Sequence, residues 1–435
     1  MLRIFIFLLI VFHTPSSHAL VVRSIRDFGA KGNGVTNDQA AFEKAAAFIQ
    51  QNGGNVKLIL PKGIYLVGKQ TRSKSTSRYM IENNVFSLHD VSNVQICGIG
   101  KVLIRYVGNL RFGTFNPITN EPLKGVSYPF YDGSKTAQIG CLFQFQRCNQ
   151  VLLSDLEADG NNTNVVLGGG FGDTGIQLWH YGVHATDCTN LTVKNLYLHH
   201  FCLDGMLVNN SQSINTHNQI LNCRFHYNAR QGLSWVAGNG LQVQNCSFNF
   251  SGQARFSSSP ASGLDIEGES ATGISNGVFT NCQFIHNKGC GLLANSGNSR
   301  NMQFTGCTFW GIDNWSAWVE KPGYKFTKCN FFGSFVHGYL TSLIEEATQF
   351  KQCLFKDSSY MGKPVYGQYL LECDSRKLMI FDSCQFMALN KKLLWYNGVS
   401  SDKKEDKPVF RNCVLLHDGK SEVYNANTGL LPNAK

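Results

Sequence analysis

The sequence predicts an all-β fold, a right-handed parallel β-helix whose coils stack as a solenoid behind an N-terminal capping α-helix. Three observations predict it: a cysteine motif that recurs eight times, a glycine-led motif that recurs along the middle of the chain, and one helical segment near the N-terminus. Recurrence at intervals of a few tens of residues is typical of repeat architectures. The short β-rich runs inside each repeat indicate strands rather than helices.

The cysteine motif places an aromatic residue two positions after the cysteine in all but its last copy. Its cysteines are 22 to 36 residues apart, and they are Cys223, Cys246, Cys282, Cys307, Cys329, Cys353, Cys384 and Cys413. Because side chains alternate across a strand, Cys-x-Phe directs both side chains inward, and equivalent residues of neighbouring coils stack about 4.8 Å apart. We therefore expect a buried ladder of free thiols rather than a disulfide framework or a zinc site.

The glycine-led motif recurs every 27 to 31 residues, at Gly175, Gly205, Gly232, Gly263 and Gly291. An apolar residue follows each glycine and is expected to point inward. These inward residues are Ile176, Met206, Leu233, Leu264 and Leu292, and Trp235 falls on the same register. The alternate positions are expected to face solvent, and they are Thr174, Gln177, Trp179, Asp204, Leu207, Asn209, Gln231, Ser234, Asp265 and Glu267.

Acidic residues are concentrated in this outward set. Asp265 and Glu267 lie two positions apart on one strand, about 6.5 to 7 Å, and Asp204 lies two coils away, roughly 10 Å. Inverting glycosidases hold their two carboxyl groups about 6.5 to 9.5 Å apart, and retaining ones about 5 to 5.5 Å. We therefore expect Asp204, Asp265 and Glu267 to be catalytic, with one carboxyl protonating the leaving oxygen while another activates water.

Five further residues are candidate substrate-binding groups: Arg230, Gln231, Trp179, His200 and His180. Arg230 could fork onto a uronic acid carboxylate, and Trp179 offers an aromatic face to a sugar ring. Each histidine could be a proton donor or hydroxyl partner, or else a turn residue that satisfies backbone groups. Asp265 with Glu267 is a weak signal for Ca²⁺, since further oxygen ligands are missing, and no metal site is predicted.

The two ends of the chain differ from the repeats. Residues 1–19 combine a short apolar run with the small-residue ending Ser17-His18-Ala19, the pattern of a secretory signal peptide. We expect export to the extracellular or periplasmic space and no membrane anchor. The β-helix domain is predicted to span residues 20–418, with its cap at about 20–55, followed by a polar tail at 419–435.

The cap and two insertions complete the predicted architecture. Thr36 or Asn37 should cap a helix that runs to about Gln51, where Gly53-Gly54 ends it, before the first strands in residues 57–66. Such a helix covers the open end of a solenoid. Residues 106–140 and 159–173 are rich in glycine and are predicted to be loops outside the coil that wall the substrate path.

The charge of the chain bears on its partners. The formal net charge is +10, which favours anionic partners through long-range attraction, and an acidic polysaccharide fits this bias. No cluster of Lys and Arg stands out, so we expect no nucleic-acid partner. The oligomeric state is not indicated by the sequence.

Three segments carry a resemblance to known proteins. Residues 22–49, which contain Ile25-Arg26-Asp27-Phe28-Gly29-Ala30-Lys31-Gly32, resemble the N-terminal signature of the pectate lyase superfamily, which also opens many family 28 glycoside hydrolases and phage tailspikes. Asn228-Ala229-Arg230-Gln231-Gly232-Leu233-Ser234 and Gly263-Leu264-Asp265-Ile266-Glu267 resemble motifs of bacterial β-helix proteins related to that hydrolase family. The resemblance implies carbohydrate chemistry in the groove over the glycine-led strands.

The sequence departs from those hydrolases at two motifs. Leu203-Asp204-Gly205 stands where they have adjacent aspartates, and Arg230-Gln231-Gly232 stands where they have Gly-His-Gly. Three hypotheses therefore remain. The first is a glycoside hydrolase that uses paired carboxylates and requires no cofactor. The second is a polysaccharide lyase in which Arg230 or a histidine takes the proton beside a uronate, with Ca²⁺ as an optional cofactor. The third is a non-catalytic glycan-binding β-helix of the adhesin or tailspike kind, against which the crowded acids argue.

Overall fold

The computed structural model describes residues 20–81, 83–124, 132–169, 178–211, 215–357, 361–367, 369–374, 378–388, 392–397, 408–417 and 420–426. The predicted signal peptide and residues 174–177 of the first glycine-led segment lie outside this part of the chain. Among the described residues, no helix is long and apolar enough to cross a membrane.

The chain forms a parallel β-solenoid, which confirms the predicted architecture. Within the described residues, one sheet of 22 strands, here called the long sheet, runs along its length. Its strands are Val21–Ser24, Asn33–Asn37, Gly54–Val67, Ser92–Tyr106, Asn149–Asp159, Thr189–His199, Gln219–Leu221, Arg224–His226, Gln242–Gln244, Ser247–Asn249, Val278–Thr280, Gln283–Asn287, Gln303–Thr305, Thr308–Gly311, Lys325–Thr327, Asn330–Phe332, Thr348–Lys351, Leu354–Lys356, Met379–Asp382, Gln385–Ala388, Val409–His417 and Lys420–Ala426. All pairings except the last are parallel, so each coil lies directly on the one before.

A second sheet carries the glycine-led strands and is here called the site sheet. It has 13 strands among the described residues. They are Phe86–His89, Phe143–Gln146, Val183–Thr186, Met206–Asn209, Leu233–Asn239, Leu264–Ile266, Ile274–Ser275, Leu292–Ala294, Ser299–Arg300, Ala317–Val319, Phe335–Val336, Tyr369–Asp374 and Lys392–Asn397. Leu233 lies opposite Leu264, and Leu264 lies opposite Leu292, so equivalent side chains stand above one another.

The N-terminal helix Gln39–Gln51 closes one end of the solenoid, as predicted. Its apolar face, which includes Phe42 and Ile49, is fully buried in the main core. The residue at the N-cap is Asp38 rather than Thr36 or Asn37, and its side chain makes no cap hydrogen bond. The Asp38 carboxylate instead accepts backbone N–H groups from the preceding turn. Two short 3-10 helices, Ile25–Phe28 and Asn162–Asn164, complete the helical content of the described residues.

The core between the sheets consists of stacked ladders. The fourteen cysteines that the structure describes are free thiols, and those of the predicted ladder are buried. Their thiols donate to backbone carbonyls of their own and the preceding coil, as Cys307 does to Thr305 and Phe279 at 3.5 Å. Phenylalanines form two parallel stacks with ring centroids 4.8 to 5.2 Å apart in one and 4.7 to 5.1 Å in the other. Offset stacking of this kind adds to the free energy gained by burying each ring.

The two glycine-rich insertions contain strands, contrary to the prediction that they are loops only. Arg111–Thr114, Thr136–Ala137 and Val166–Gly168 form a separate three-stranded sheet. A further two-stranded sheet, Thr71–Arg72 with Met80–Ile81, precedes the first insertion in the chain. The glycines of the insertions misled the prediction because Gly113 and Gly168 lie within strands, where a Cβ on either would meet a backbone oxygen.

At the C-terminal end, the segment predicted to be a polar tail adds a further strand. Lys420–Ala426 pairs antiparallel with Val409–His417. The long sheet therefore continues beyond residue 418.

Because the thiols of the ladder are free, we expect a reducing agent to leave the thermal unfolding temperature of the protein unchanged. In the folded state a thiol reagent should modify Cys97 first among the described cysteines, since it alone of them is not fully buried. Calorimetry with and without reductant, and mass spectrometry after brief labelling, check this, with Cys97→Ser as the control. A lower unfolding temperature in reductant would contradict the free-thiol ladder.

Candidate active site

The candidate site lies on the outer face of the site sheet. Strand pairing sets His184, Leu207, Ser234, Asp265 and Leu293 in one column across consecutive coils. Residues that alternate with these along the strands, such as Leu264 and Trp235, belong to the main core, as the alternation predicts. The column therefore brings polar groups from several coils together on one face.

A stack of glycines allows the coils to approach closely beside this column. A Cβ on Gly205 would lie 2.8 Å from the carbonyl oxygen of Gly232, and a Cβ on Gly232 would lie 2.7 Å from that of Gly263. Both distances are too short for a side chain, so these positions require glycine. The residue before each glycine is held at the same corner of its coil.

The coil before Gly205 is aligned differently from the prediction. The strand that pairs with Met206–Asn209 is Val183–Thr186, so the glycine in register is Gly182 rather than Gly175. The prediction failed because Gly175 lies at the spacing of the other repeats, whereas this coil is shorter. The outward residue that the first strand contributes to the site is consequently His184.

Asp204 forms a two-pronged ion pair with Arg230. The guanidinium donates from Nε to Oδ1 at 2.8 Å and from Nη2 to Oδ2 at 2.6 Å. The carboxylate also accepts the backbone N–H of Gln231 at 3.1 Å and the hydroxyl of Ser234 at 2.9 Å. Burial opposes the charge of Arg230, but the charge of Asp204 and its hydrogen bond outweigh it and raise the pKa of Arg230.

The exposure predicted for these residues is wrong. Asp204 has no exposed surface and Arg230 is 9% exposed. An apolar cluster packs on the outer face beside them, formed by Cys141, Tyr181, Leu203, Leu207 and Val236. Both prongs of the Arg230 guanidinium are bound to Asp204, whose carboxylate also accepts from Gln231 and Ser234, so the structure does not support Arg230 as a free fork for a uronate or Asp204 as a catalytic carboxyl. The two form a positioning pair.

Gln231 links two coils of the site. Its Oε1 accepts the backbone N–H of Ser262 at 2.8 Å, and its Nε2 donates to Oδ2 of Asp265 at 2.7 Å. The side chain of Gln231 is fully buried. Gln231 therefore orients Asp265, and the structure does not support its predicted contact with the substrate.

Asp265 has the most unusual electrostatic setting of the site. Its side chain is largely buried at 7% exposure. Burial, and then the charge of Glu267, raise the pKa of Asp265 to about 8, while Arg230 opposes the rise. A carboxyl group with such a pKa is mostly protonated at neutral pH and can act as a general acid.

Two further carboxylates follow Asp265 in the chain. Glu267 is partly exposed and accepts a hydrogen bond from the hydroxyl of Ser296 at 2.8 Å. Glu269 is exposed, and burial together with the charge of Glu267 raises its pKa. Glu269 was not predicted, although its spacing of two residues from Glu267 and four from Asp265 was a usable signal.

Aromatic rings border the polar groups. Trp179 is partly buried and packs edge-on against His184 at 5.1 Å and against Tyr181 at 6.1 Å. Burial lowers the pKa of His184 to about 4 despite the charge of Asp204, so this ring is neutral at pH 7. Trp179 thus packs against a residue of the column, His184, whereas Tyr181 was missed with the register of its coil.

His180 belongs to the core instead of the substrate-binding surface. It is fully buried, and its ring lies 4.6 Å from that of Tyr106. Its Nδ1 accepts the backbone N–H of Cys202 at 3.0 Å, and burial lowers its pKa to about 3. The alternative of a histidine that satisfies a backbone group is therefore the one that the structure supports.

His200 lies at the end of a long-sheet strand. Its ring stacks on Tyr227 at 5.2 Å, and its Nδ1 lies 2.7 Å from Nδ1 of His199. These contacts place it in a separate cluster with Asp159. They do not support the predicted role beside Asp265.

The geometry of the site suits acid–base chemistry. A buried protonated carboxyl at Asp265 adjoins the carboxylates of Glu267 and Glu269, and the Asp204–Arg230 pair and Gln231 fix its surroundings. Arg230 remains protonated, so it is unsuited to take a proton from a substrate.

Comparisons with known proteins agree with this architecture. A family model described as "Right handed beta helix region" matches residues 171–331. The match covers the middle of the chain and agrees with the fold that the strand pairing shows, a parallel β-helix. The site-sheet strands from Val183–Thr186 to Ala317–Val319 lie within the matched region.

The chain also has a distant curated relative. It is 27% identical over 206 residues to polygalacturonase ADPG1 of Arabidopsis thaliana, an alignment that covers 40% of this chain and 44% of that protein. The chain thus matches less than half the length of this relative.

Several solved structures are similar to the chain at low identity. The Agl-KA catalytic domain has a TM-score of 0.50 at 13% identity, over 92% of this chain and 66% of that one. The mannuronan C-5 epimerase AlgE4 A-module of Azotobacter vinelandii has a TM-score of 0.46 at 13% identity, over 90% and 95%. The exopolygalacturonase of Thermotoga maritima has a TM-score of 0.42 at 11% identity, over 93% and 94%.

We expect Asp204→Asn to destabilise this β-helix protein by about 3–5 kcal/mol, because it leaves the buried charge of Arg230 uncompensated. The double variant Asp204→Leu/Arg230→Met, which removes both charges, should lose less. Asp155→Asn is the control, since Asp155 is exposed on the long sheet at a φ of 61° that asparagine tolerates. Urea unfolding followed by circular dichroism measures the differences. Equal unfolding midpoints for Asp204→Asn and Asp155→Asn would contradict a structural role for the ion pair.

Proposed function

We propose that this protein is a secreted enzyme that cleaves a polysaccharide by hydrolysis, with Asp265 as the general acid. The observation that carries the proposal is the burial of the Asp265 carboxyl beside the charge of Glu267. A carboxyl with its pKa raised to about 8 by burial and by Glu267 can donate a proton to a glycosidic oxygen at neutral pH. A surface carboxylate of ordinary pKa would already be ionised there.

Glu267 is proposed as the general base that activates water. It is partly exposed, and the Ser296 hydroxyl orients its carboxylate. Glu267 directly follows the strand Leu264–Ile266, and its backbone N–H donates to the carbonyl of Trp235 on the neighbouring coil. At the extended spacing of about 6.5 to 7 Å for residues two apart, the carboxyls of Asp265 and Glu267 would approach the separation that admits a water in inverting glycosidases. Inversion at the anomeric carbon is therefore the proposed stereochemical course. Trp179 packs against His184, three coils from Asp265 along the column, and provides an aromatic surface for a sugar ring further along the polymer.

An anionic polysaccharide that contains uronate is the proposed substrate. The net charge of +10 favours such a polymer, and the distant relative is named a polygalacturonase. The pattern of a signal peptide in residues 1–19 supports export to the place where such polymers occur. The proposed hydrolysis requires no cofactor, because the acid and the base are both side chains of the chain.

We expect Asp265→Asn and Glu267→Gln each to lower kcat by about 100- to 10,000-fold on a cleaved polysaccharide, since each removes one partner of acid–base catalysis. Glu269→Gln should lower kcat by a smaller factor, and Asp155→Asn should have the kcat of the wild type. The assay follows reducing ends and ultraviolet absorbance on a panel of acidic and neutral polysaccharides. Circular dichroism of each variant verifies that it is folded.

The products distinguish the alternatives. New reducing ends without ultraviolet absorbance support hydrolysis. Absorbance from an unsaturated sugar would contradict hydrolysis and support the lyase hypothesis. Full activity in both Asp265→Asn and Glu267→Gln would place the reaction elsewhere. If the wild-type protein binds a glycan of the panel and cleaves none, the proposal of an enzyme is overturned in favour of a glycan-binding β-helix.

A further inference from the structure

A second cluster of titratable groups lies at the corner where long-sheet strands end. Asp159 and His199 are the last residues of adjacent strands and lie opposite one another in register, and His200 follows at once. One ligand atom from each of the three residues falls within 4.8 Å of the others. The cluster plays no part in the hydrolysis proposed above.

The three ligand atoms converge on one point. Nδ1 of His199 and Nδ1 of His200 are 2.7 Å apart, and Oδ1 of Asp159 lies 3.7 Å from the first and 4.0 Å from the second. A tetrahedral zinc site with bonds of about 2.0 to 2.1 Å needs ligand separations of roughly 3.3 Å. The three observed separations scatter around this value, so shifts of well under 1 Å would complete the geometry.

A second carboxylate fixes the tautomer of His199. Its Nε2 lies 3.3 Å from Oε1 of Glu157, and a carboxylate only accepts, so Nε2 carries the proton. The lone pair of Nδ1 then points toward His200 and Asp159. A ligating histidine whose other nitrogen donates to a carboxylate is the usual outer arrangement of protein metal sites.

Asp159 is likewise held in place. Arg105 donates to its Oδ2 at 2.9 Å, and the backbone N–H of Asn161 donates to Oδ1 at 2.8 Å, which leaves Oδ1 with a further lone pair. The charge of Arg105 is paired with that of Asp159. The side chain of His200 is 28% exposed, so a cation can enter from solvent and keep water in its remaining positions.

We propose that Asp159, His199 and His200 form a binding site for a divalent transition-metal cation of the zinc type. Two imidazoles and one carboxylate suit Zn²⁺ and Co²⁺ better than Ca²⁺ or Mg²⁺, which prefer oxygen ligands alone. The sequence did not indicate the site because Asp159 lies one full coil before the two histidines, and only the stacking of the coils joins them.

The test is Zn²⁺ binding to the purified chain, which carries a tag without histidine. Calorimetric titration should show one equivalent bound, and Zn²⁺ should raise the thermal unfolding temperature. His200→Asn should lose this binding and the temperature shift, and it should fold, because asparagine accepts the φ of 57° at this position. Glu157→Gln should weaken the affinity by about tenfold, since its amide oxygen still accepts from His199 but without charge.

His89→Asn is the matched control, because His89 is exposed and its Nδ1 lies 3.2 Å from the carboxylate of Asp90. It should bind Zn²⁺ as the wild type does. Co²⁺ should give visible absorption bands in the wild type and in His89→Asn, and none in His200→Asn. Absence of Zn²⁺ binding in the wild type, or equal binding in His200→Asn, would overturn the proposal and leave a hydrogen bond between the two histidines. Either result stands apart from polysaccharide cleavage, since no step of that reaction uses these residues.

Discussion

The parallel pairing of each coil with the next is the constraint on which the rest of the structure depends. It fixes the register of every strand, so that residues about one coil apart in sequence stand a strand spacing apart in space. The cysteine and phenylalanine ladders hold this register from inside, and the glycines at the corner allow the coils to approach. Asp204, Arg230, Gln231 and Asp265 come from three coils and meet only because these coils do not slip.

The electrostatics of the site depend on how Arg230, a buried cation, is paired. Arg230 gives both prongs of its guanidinium to Asp204. Asp265 receives a neutral amide from Gln231 instead of a counterion, so burial and the charge of Glu267 determine its protonation. Asp204 is thus held in an ion pair, while burial and Glu267 raise the pKa of Asp265. A carboxyl whose pKa is raised by burial and by a like charge is typical of acid–base sites.

The periodic features of the chain were predictable from its sequence, and the features that depend on the outer surface were not. The cysteine ladder, the inward Trp235 and the outward column with Asp265 follow from alternation along a strand. Alternation does not show what covers the outer face, so the burial of Asp204 and Gln231 was missed. The coil led by Gly182 is shorter than its neighbours, and this difference made His180 a candidate in place of His184. The cluster of Asp159 with His199 requires the register between two long strands, which no local pattern reveals.

The central claim, that Asp265 is a protonated acid at neutral pH, is tested most directly by titrating this carboxyl. Infrared difference spectra between the wild type and Asp265→Asn, recorded across a pH series, isolate the band of its protonated form. The structure predicts a midpoint of about 8, and a lower midpoint in Glu267→Gln, because the neighbouring negative charge is removed. A midpoint near the ordinary 3.8 of an aspartate, unchanged by Glu267→Gln, would contradict the account.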